Sequence, residues 1–120
     1  MPTILAVDDS TSLRQMLSHT LQASGFEVLQ ARDGLDALEQ LQARPADLVI
    51  TDQNMPRLDG LGLTRALRAD PRWHRLPVLI LTTDSDSTLK AAAREAGATG
   101  WLAKPFDPVR LVAVIGQVLA

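Results

Sequence analysis

Thr3-Ile4-Leu5-Ala6-Val7-Asp8-Asp9-Ser10-Thr11 runs from unbroken apolar residues into two carboxylates and two hydroxyls. A strand with one wet face alternates apolar and polar side chains, whereas a continuous apolar run marks a strand covered on both faces. Asp8 to Thr11 are the residue types that make turns and cap helix N-termini. Leu13, Met16, Leu17, Thr20, Leu21 and Ser24 then form a stripe at helical spacing, and Gly25 stops it. The chain thus opens as strand, polar turn and helix.

The same unit recurs along the chain. Glu27-Val28-Leu29-Gln30-Ala31 reads as a second, more polar strand, suited to a sheet edge. Arg32-Asp33-Gly34 turns into a helix with Leu35, Leu38 and Leu41 on one side, and Pro45 lies beyond its end. Leu48-Val49-Ile50-Thr51 is a third strand that ends in Asp52. The loop Gln53-Asn54-Met55-Pro56-Arg57 leads to a helix bearing Leu63, Ala66 and Leu67, which stops before Pro71. Pro77 to Thr82 is the fourth strand, followed by a helix from Ser87 to Ala96 with Gly97 as its stop. Gly100 to Ala103 is a short fifth strand ending at Lys104-Pro105. The last helix starts at Asp107-Pro108 and buries Leu111, Val112, Ile115, Val118 and Leu119. Five such units predict an α/β fold: a doubly wound, five-stranded parallel sheet with helices on both faces and right-handed crossovers. No linker or repeat interrupts it, so residues 1–120 are expected to form one domain.

Composition narrows the chemistry. With 46% hydrophobic and 22% charged residues, the 120-residue chain can build a core and is not disordered. Its apolar runs are far shorter than a membrane span, and Asp8 comes too early for a secretory leader, so a cytoplasmic location is expected. The absence of cysteine excludes disulfides, a thiolate nucleophile and a Cys-ligated zinc site. His19 and His74 show no ligand spacing. A net charge of -2 argues against a nucleic-acid partner. The stretch holding Arg65, Arg68, Arg72, His74 and Arg75 beside Trp73 accordingly reads as a solvated face.

In a parallel sheet every strand's C-terminal end lies on one edge, and ligands bind there. On that edge stand Asp8 and Asp9, Asp52, Thr82 and Lys104. Two like charges ~4 Å apart repel by ~4 kcal/mol at an effective dielectric of ~20. Either some of the carboxyls keep a proton or a cation sits among them. Mg²⁺ (or Mn²⁺) is suited, since it takes hard oxygen ligands and needs only one or two carboxylates. Lys104 adds a second positive centre. The set suits phosphoryl transfer to a carboxylate, which needs charge neutralisation and alignment more than acid–base chemistry. Asp52, alone at the end of its strand, is the expected nucleophile, and the Asp8-Asp9 pair the expected metal holder. The Thr82 hydroxyl and the backbone amides around Asn54 and Met55 are placed to hold oxygens.

Four motifs now stand together: Val7-Asp8-Asp9-Ser10; Thr51-Asp52-Gln53-Asn54-Met55-Pro56 with Asp59-Gly60; Leu81-Thr82-Thr83; and Lys104-Pro105-Phe106. In them the chain resembles the response-regulator receiver domain, and within it the single-domain chemotaxis type. The resemblance implies a flavodoxin-like sheet of strand order 2-1-3-4-5. It implies a histidine kinase that donates its phosphoryl group to Asp52. Asp9, Asp52 and the Asn54 backbone carbonyl would ligate Mg²⁺, with Asp8 acting through water. Lys104 and Thr82 would hold the phosphoryl group, and Trp101 would turn inward behind Thr82. Lys104-Pro105 would be a cis peptide. The surface of the fourth helix, fifth strand and fifth helix would bind a target such as the flagellar motor switch. The domain would catalyse only its own phosphorylation and dephosphorylation, and a monomer is expected.

The chain also departs from the family's pattern. Trp101 stands where Tyr or Phe is usual, and Thr83 where a small residue is usual. Asn54 and Asp84 occupy positions that tune hydrolysis of the acyl phosphate; both are small enough to admit water, which predicts a short-lived phosphorylated state. Each motif also has a plainer reading. Asp8-Asp9 can serve as a helix cap, Thr82 as β-branched strand filler, Lys104 as a solvated lysine and Trp101 as a static edge aromatic. Other functions compete as well. A phosphate sink or relay shuttle has the same fold. A Mg²⁺-dependent aspartyl phosphohydrolase wants an acid two residues after the nucleophile, where this chain has Asn54. The chain ends at Ala120 directly after the last helix, which suggests a stand-alone regulator or a receiver cut from a longer one.

Overall fold

The computed structural model describes residues 1–83 and 87–120, the side chain of Ser87 excepted. The element order is β1 (Thr3–Val7), α1 (Thr11–Ala23), β2 (Glu27–Ala31), α2 (Gly34–Ala43), β3 (Leu48–Asp52), α3 (Gly60–Ala69), β4 (Val78–Thr82), α4 (Ser87–Ala96), β5 (Gly100–Ala103) and α5 (Pro108–Leu119). The five strands are parallel and ordered β2-β1-β3-β4-β5, the order implied by the resemblance. The winding order reverses between β1 and β3, since the connection from β1 leads outward to β2 and the one from β3 leads the other way to β4. Such a reversal opens a crevice at the C-terminal ends of those two strands. Asp8 and Asp9 follow β1 and Asp52 ends β3, so the fold places all three at that crevice.

The continuous apolar runs are explained by burial on both sides. Leu5, Val7, Val49, Val78 and Ile80 point into a core shared with α2, α3 and α4. Ile4, Ala6, Leu48, Ile50, Leu79 and Leu81 point into a second core with Leu17 and Leu21 of α1 and Leu111 and Ile115 of α5. The edge strand β2 keeps Glu27 and Gln30 exposed. Gly25 and Gly97 adopt φ of 92° and 94°. Phe26 N bonds Leu21 O at 3.1 Å and Ala98 N bonds Ala93 O at 3.0 Å, so α1 and α4 each close on a left-handed glycine.

Two helix faces differ from the expected stripes. Leu13 and Met16 are 37% and 58% exposed, while Leu17, Ser18 and Leu21 are buried. At about 100° per residue the buried arc is therefore turned toward Arg14 and Ser18. Arg14 explains the turn: its Nη1 donates to the Asp8 carbonyl at 2.6 Å and its Nε to Gln30 Oε1 at 3.1 Å. Leu35 is also exposed, while Leu41 is buried and Leu38 half-buried as expected, and Ala37 takes the remaining place in the core. The basic stretch is partly structural. Arg68 donates to the carbonyls of Gly97 and Trp73, and Arg72 pairs with Asp70 and lies 4.1 Å from the Trp73 ring centroid.

Candidate metal centre

Three turns build the site. In the first, Ser10 caps α1, its Oγ accepting from Leu13 N, and Ser10 N donates to Asp8 Oδ1 at 2.9 Å. Asp8 is thereby fixed as a buried carboxylate, 2% exposed, while Asp9 stays in solvent. In the second, Asp52 closes β3, opposite Leu81 in the sheet, and is also buried. In the third, Lys104 directly follows β5 and precedes a cis bond to Pro105, its amide donating to the Thr82 carbonyl at 2.9 Å.

These turns bring oxygens of Asp8, Asp9 and Asp52 within 4.8 Å of one another. Lys104 Nζ lies 3.1 Å from Asp52 Oδ1 and 3.4 Å from Asp8 Oδ2. Burial pushes the Asp8 carboxyl above its ordinary value, and the Asp52 charge adds to the rise against the pull of Ser10 N and Lys104. Burial alone would lower Lys104, but its hydrogen bond and charge contact with Asp52, reinforced by Asp8, raise it. One ammonium thus serves two buried carboxylates, with a third carboxylate on the wet side. The donor set is all hard oxygen and open to water through Asp9, which fits a small divalent ion that retains part of its hydration shell.

The other expected site residues that the structure describes lie on β4, on β5 and in the loop after β3. Thr82 is a buried strand end beside Ala103. Asn54 is exposed in the loop after β3. Trp101 is half-buried on β5, packed toward the core beneath α2, α3 and α4, with Lys90 Nζ 5.8 Å from its ring centroid. Asp84 lies outside the described residues.

Sequence reasoning missed the residues that shape the loop after β3. Gln53 is buried; its Oε1 accepts from Leu61 N at 2.9 Å and its Nε2 donates to Asp59. Gly60 N donates to Gln53 O at 3.0 Å, closing the loop at its base. Asp33 reads in sequence as a turn residue, and it does cap α2 through Asp36 N. It is also buried and takes both forks of Arg57, at 2.8 and 2.9 Å. The usable signal was positional: Asp33 follows β2, so it belongs to the same rim as Asp8 and Asp52. Arg57 has φ of 68° and is spanned by a 2.7 Å bond from Leu58 N to Pro56 O. That is a left-handed γ-turn, a conformation that costs a non-glycine residue about 1–3 kcal/mol.

Comparison with known proteins gives a consistent relationship. The response regulator receiver domain family matches residues 4–116. Chemotaxis protein CheY1 of Helicobacter pylori is 38% identical over 107 residues, covering 88% of this chain and 86% of that protein. The crystal structure of Vibrio cholerae chemotaxis protein CheY4 superposes with a TM-score of 0.94 at 44% identity, covering 99% of both chains. The receiver domain of a Pseudomonas aeruginosa sensor histidine kinase, solved with a magnesium ion coordinated in its active-site cleft, superposes at 0.90 with 27% identity over 98% of this chain and 97% of that one.

Proposed function

The chain belongs to the response regulator receiver domain family, a family of signalling domains, and on that premise we propose that Asp52 accepts a phosphoryl group from a histidine kinase. The observation that carries the reading is the joint approach of Asp8, Asp9 and Lys104 to Asp52. An Asp52 carboxylate oxygen attacks phosphorus in line while the P–N bond to the kinase imidazole breaks. The electron pair stays on the imidazole nitrogen, which takes a proton from water, and Asp52 becomes an acyl phosphate. Lys104 Nζ, already at Asp52, neutralises a phosphoryl oxygen, and the Thr82 hydroxyl at the next strand end donates to another. Asp9, Asp52 and the Asn54 carbonyl, with Asp8 acting through water, would hold Mg²⁺ or Mn²⁺, which would supply the remaining charge neutralisation. Water then removes the phosphoryl group, with Asn54 and Asp84 setting the rate; a short lifetime is expected, and one of many hours would reject it.

The output is a change of surface. Phosphorylation adds nearly two negative charges beside Thr82. Next to it lies a cavity of about 330 Å³ lined by Thr82, Lys90, Trp101, Phe106 and Arg110, between α4, β5 and α5. That face is the proposed target surface. Since relatives are named chemotaxis proteins, the flagellar motor switch is the proposed target, reached by a cytoplasmic, monomeric receiver comprising residues 1–120.

The test is labelling from radioactive acetyl phosphate. Wild type takes up label with Mg²⁺ and not with chelator, and Asp52→Asn takes up none. Label that persists in Asp52→Asn overturns the assignment. Pull-down of motor-switch protein with and without beryllofluoride then separates the motor regulator, which binds only with it, from a sink or relay.

A further inference from the structure

We propose that Asp33 and Arg57 are a positioning pair that sets the backbone of residues 54–58, so that divalent-ion affinity depends on a salt bridge outside the carboxylate cluster. The inference rests on the reading above, in which the Asn54 carbonyl is a ligand.

The loop is pinned at its base by the bonds from Gln53 to Gly60, Leu61 and Asp59. From there it arches through Asn54 to Leu58, and the arch includes the left-handed γ-turn at Arg57. A non-glycine residue holds such a conformation only where its surroundings over-determine it. Here they are the N-terminus of α2. Asp33 is 3% exposed, and its carboxylate accepts both Arg57 contacts and the Asp36 amide that starts the helix. Beside it Gly34 N donates to Leu58 O at 3.0 Å. A Cβ at Gly34 would stand 2.6 Å from that oxygen, so helix and loop meet as closely as backbone allows. Neither Asp33 nor Arg57 belongs to the carboxylate cluster at Asp52. A planar guanidinium bridging two carboxylate oxygens fixes orientation as well as distance, which suits it to aiming a loop.

Arg57→Gly and Asp33→Asn test the pair without unfolding the site. Glycine adopts φ of 68° freely, and asparagine still caps a helix. The readouts are Mn²⁺ affinity by calorimetry and amide hydrogen exchange of residues 54–58 in ion-free protein. Each variant is expected to weaken Mn²⁺ binding by about tenfold, as loss of an outer support does. The double variant should be no weaker than either single one, and exchange should quicken at 54–58 but not in β3. Wild-type affinity in either variant, or additive losses in the double variant, overturns the proposal while leaving the metal centre intact. Absence of Mn²⁺ binding by wild type, or binding unchanged in Asp52→Asn, overturns the metal-centre reading as well.

Discussion

Lys104 Nζ stands 3.1 Å from Asp52 Oδ1, although β4 separates the strands that carry the two residues. The same ammonium lies 3.4 Å from Asp8, beyond β3. One long side chain therefore spans the crevice and offsets the repulsion between the two carboxylates.

Removal of that ammonium should show its double role. Lys104→Met leaves Asp8 and Asp52 buried without it. Breaking a fully buried pair costs about 3–5 kcal/mol, and the partial exposure of Lys104 brings the expected loss to about 2–3 kcal/mol. Added Mg²⁺ should raise the melting temperature more in the variant than in wild type, because the ion then meets no competing cation. Thermal melts with and without Mg²⁺ measure both effects.

A pH dependence follows from Asp33. Hydrogen bonds from Arg57, against the opposing effect of burial and with help from the Asp36 amide, hold its carboxyl below the ordinary 3.8. A carboxylate lowered on folding stabilises the fold above its unfolded value, and the contribution fades as pH falls through the lowered one. Asp33→Asn should melt a few degrees below wild type at neutral pH, and the two curves should converge in strong acid. A gap that persists undiminished in strong acid would assign the effect to shape rather than charge.

Glycine substitutions should sort by local space. A Cβ at Gly60 would stand 2.7 Å from the Asp52 carbonyl, whereas one at Gly116 of α5 meets nothing within 4 Å. Gly60→Ala should cost about 1–3 kcal/mol through overpacking. Gly116→Ala, on an exposed helix turn, should stabilise by up to about 1 kcal/mol. Urea unfolding of both variants checks the contrast.

The two tryptophans allow the surface change to be located. Trp101 lines the cavity beside Thr82, while Trp73 sits in the turn between α3 and β4, stacked on Arg72. Beryllofluoride with Mg²⁺ should change emission in Trp73→Phe and leave Trp101→Phe nearly silent. The reverse pattern would remove Trp101 from the response.

Most of the architecture was legible because it rests on local chemistry. Continuous apolar runs, capping residues and stop glycines sit at fixed spacings, and the structure has its strands and helices at those places. The helix faces were less legible. Leu13 and Met16 satisfy a helical stripe, yet the helix is turned by Arg14, whose partners on Asp8 and Gln30 come from other elements. The rim was legible in part. Asp8, Asp52 and Lys104 announce themselves as polar groups at the ends of apolar runs, but Asp33 comes two residues after a more polar strand and does not stand out.

From the chain alone came the βα alternation, the parallel sheet and the edge on which the carboxylates gather, because apolar periodicity and turn chemistry are written residue by residue. Folding in three dimensions decided the pairings among groups far apart in the chain: Lys104 with Asp52 and Asp8, Arg57 with Asp33, Arg14 with Gln30. Strand order and side-chain reach bring those partners together, and neither is encoded in local spacing.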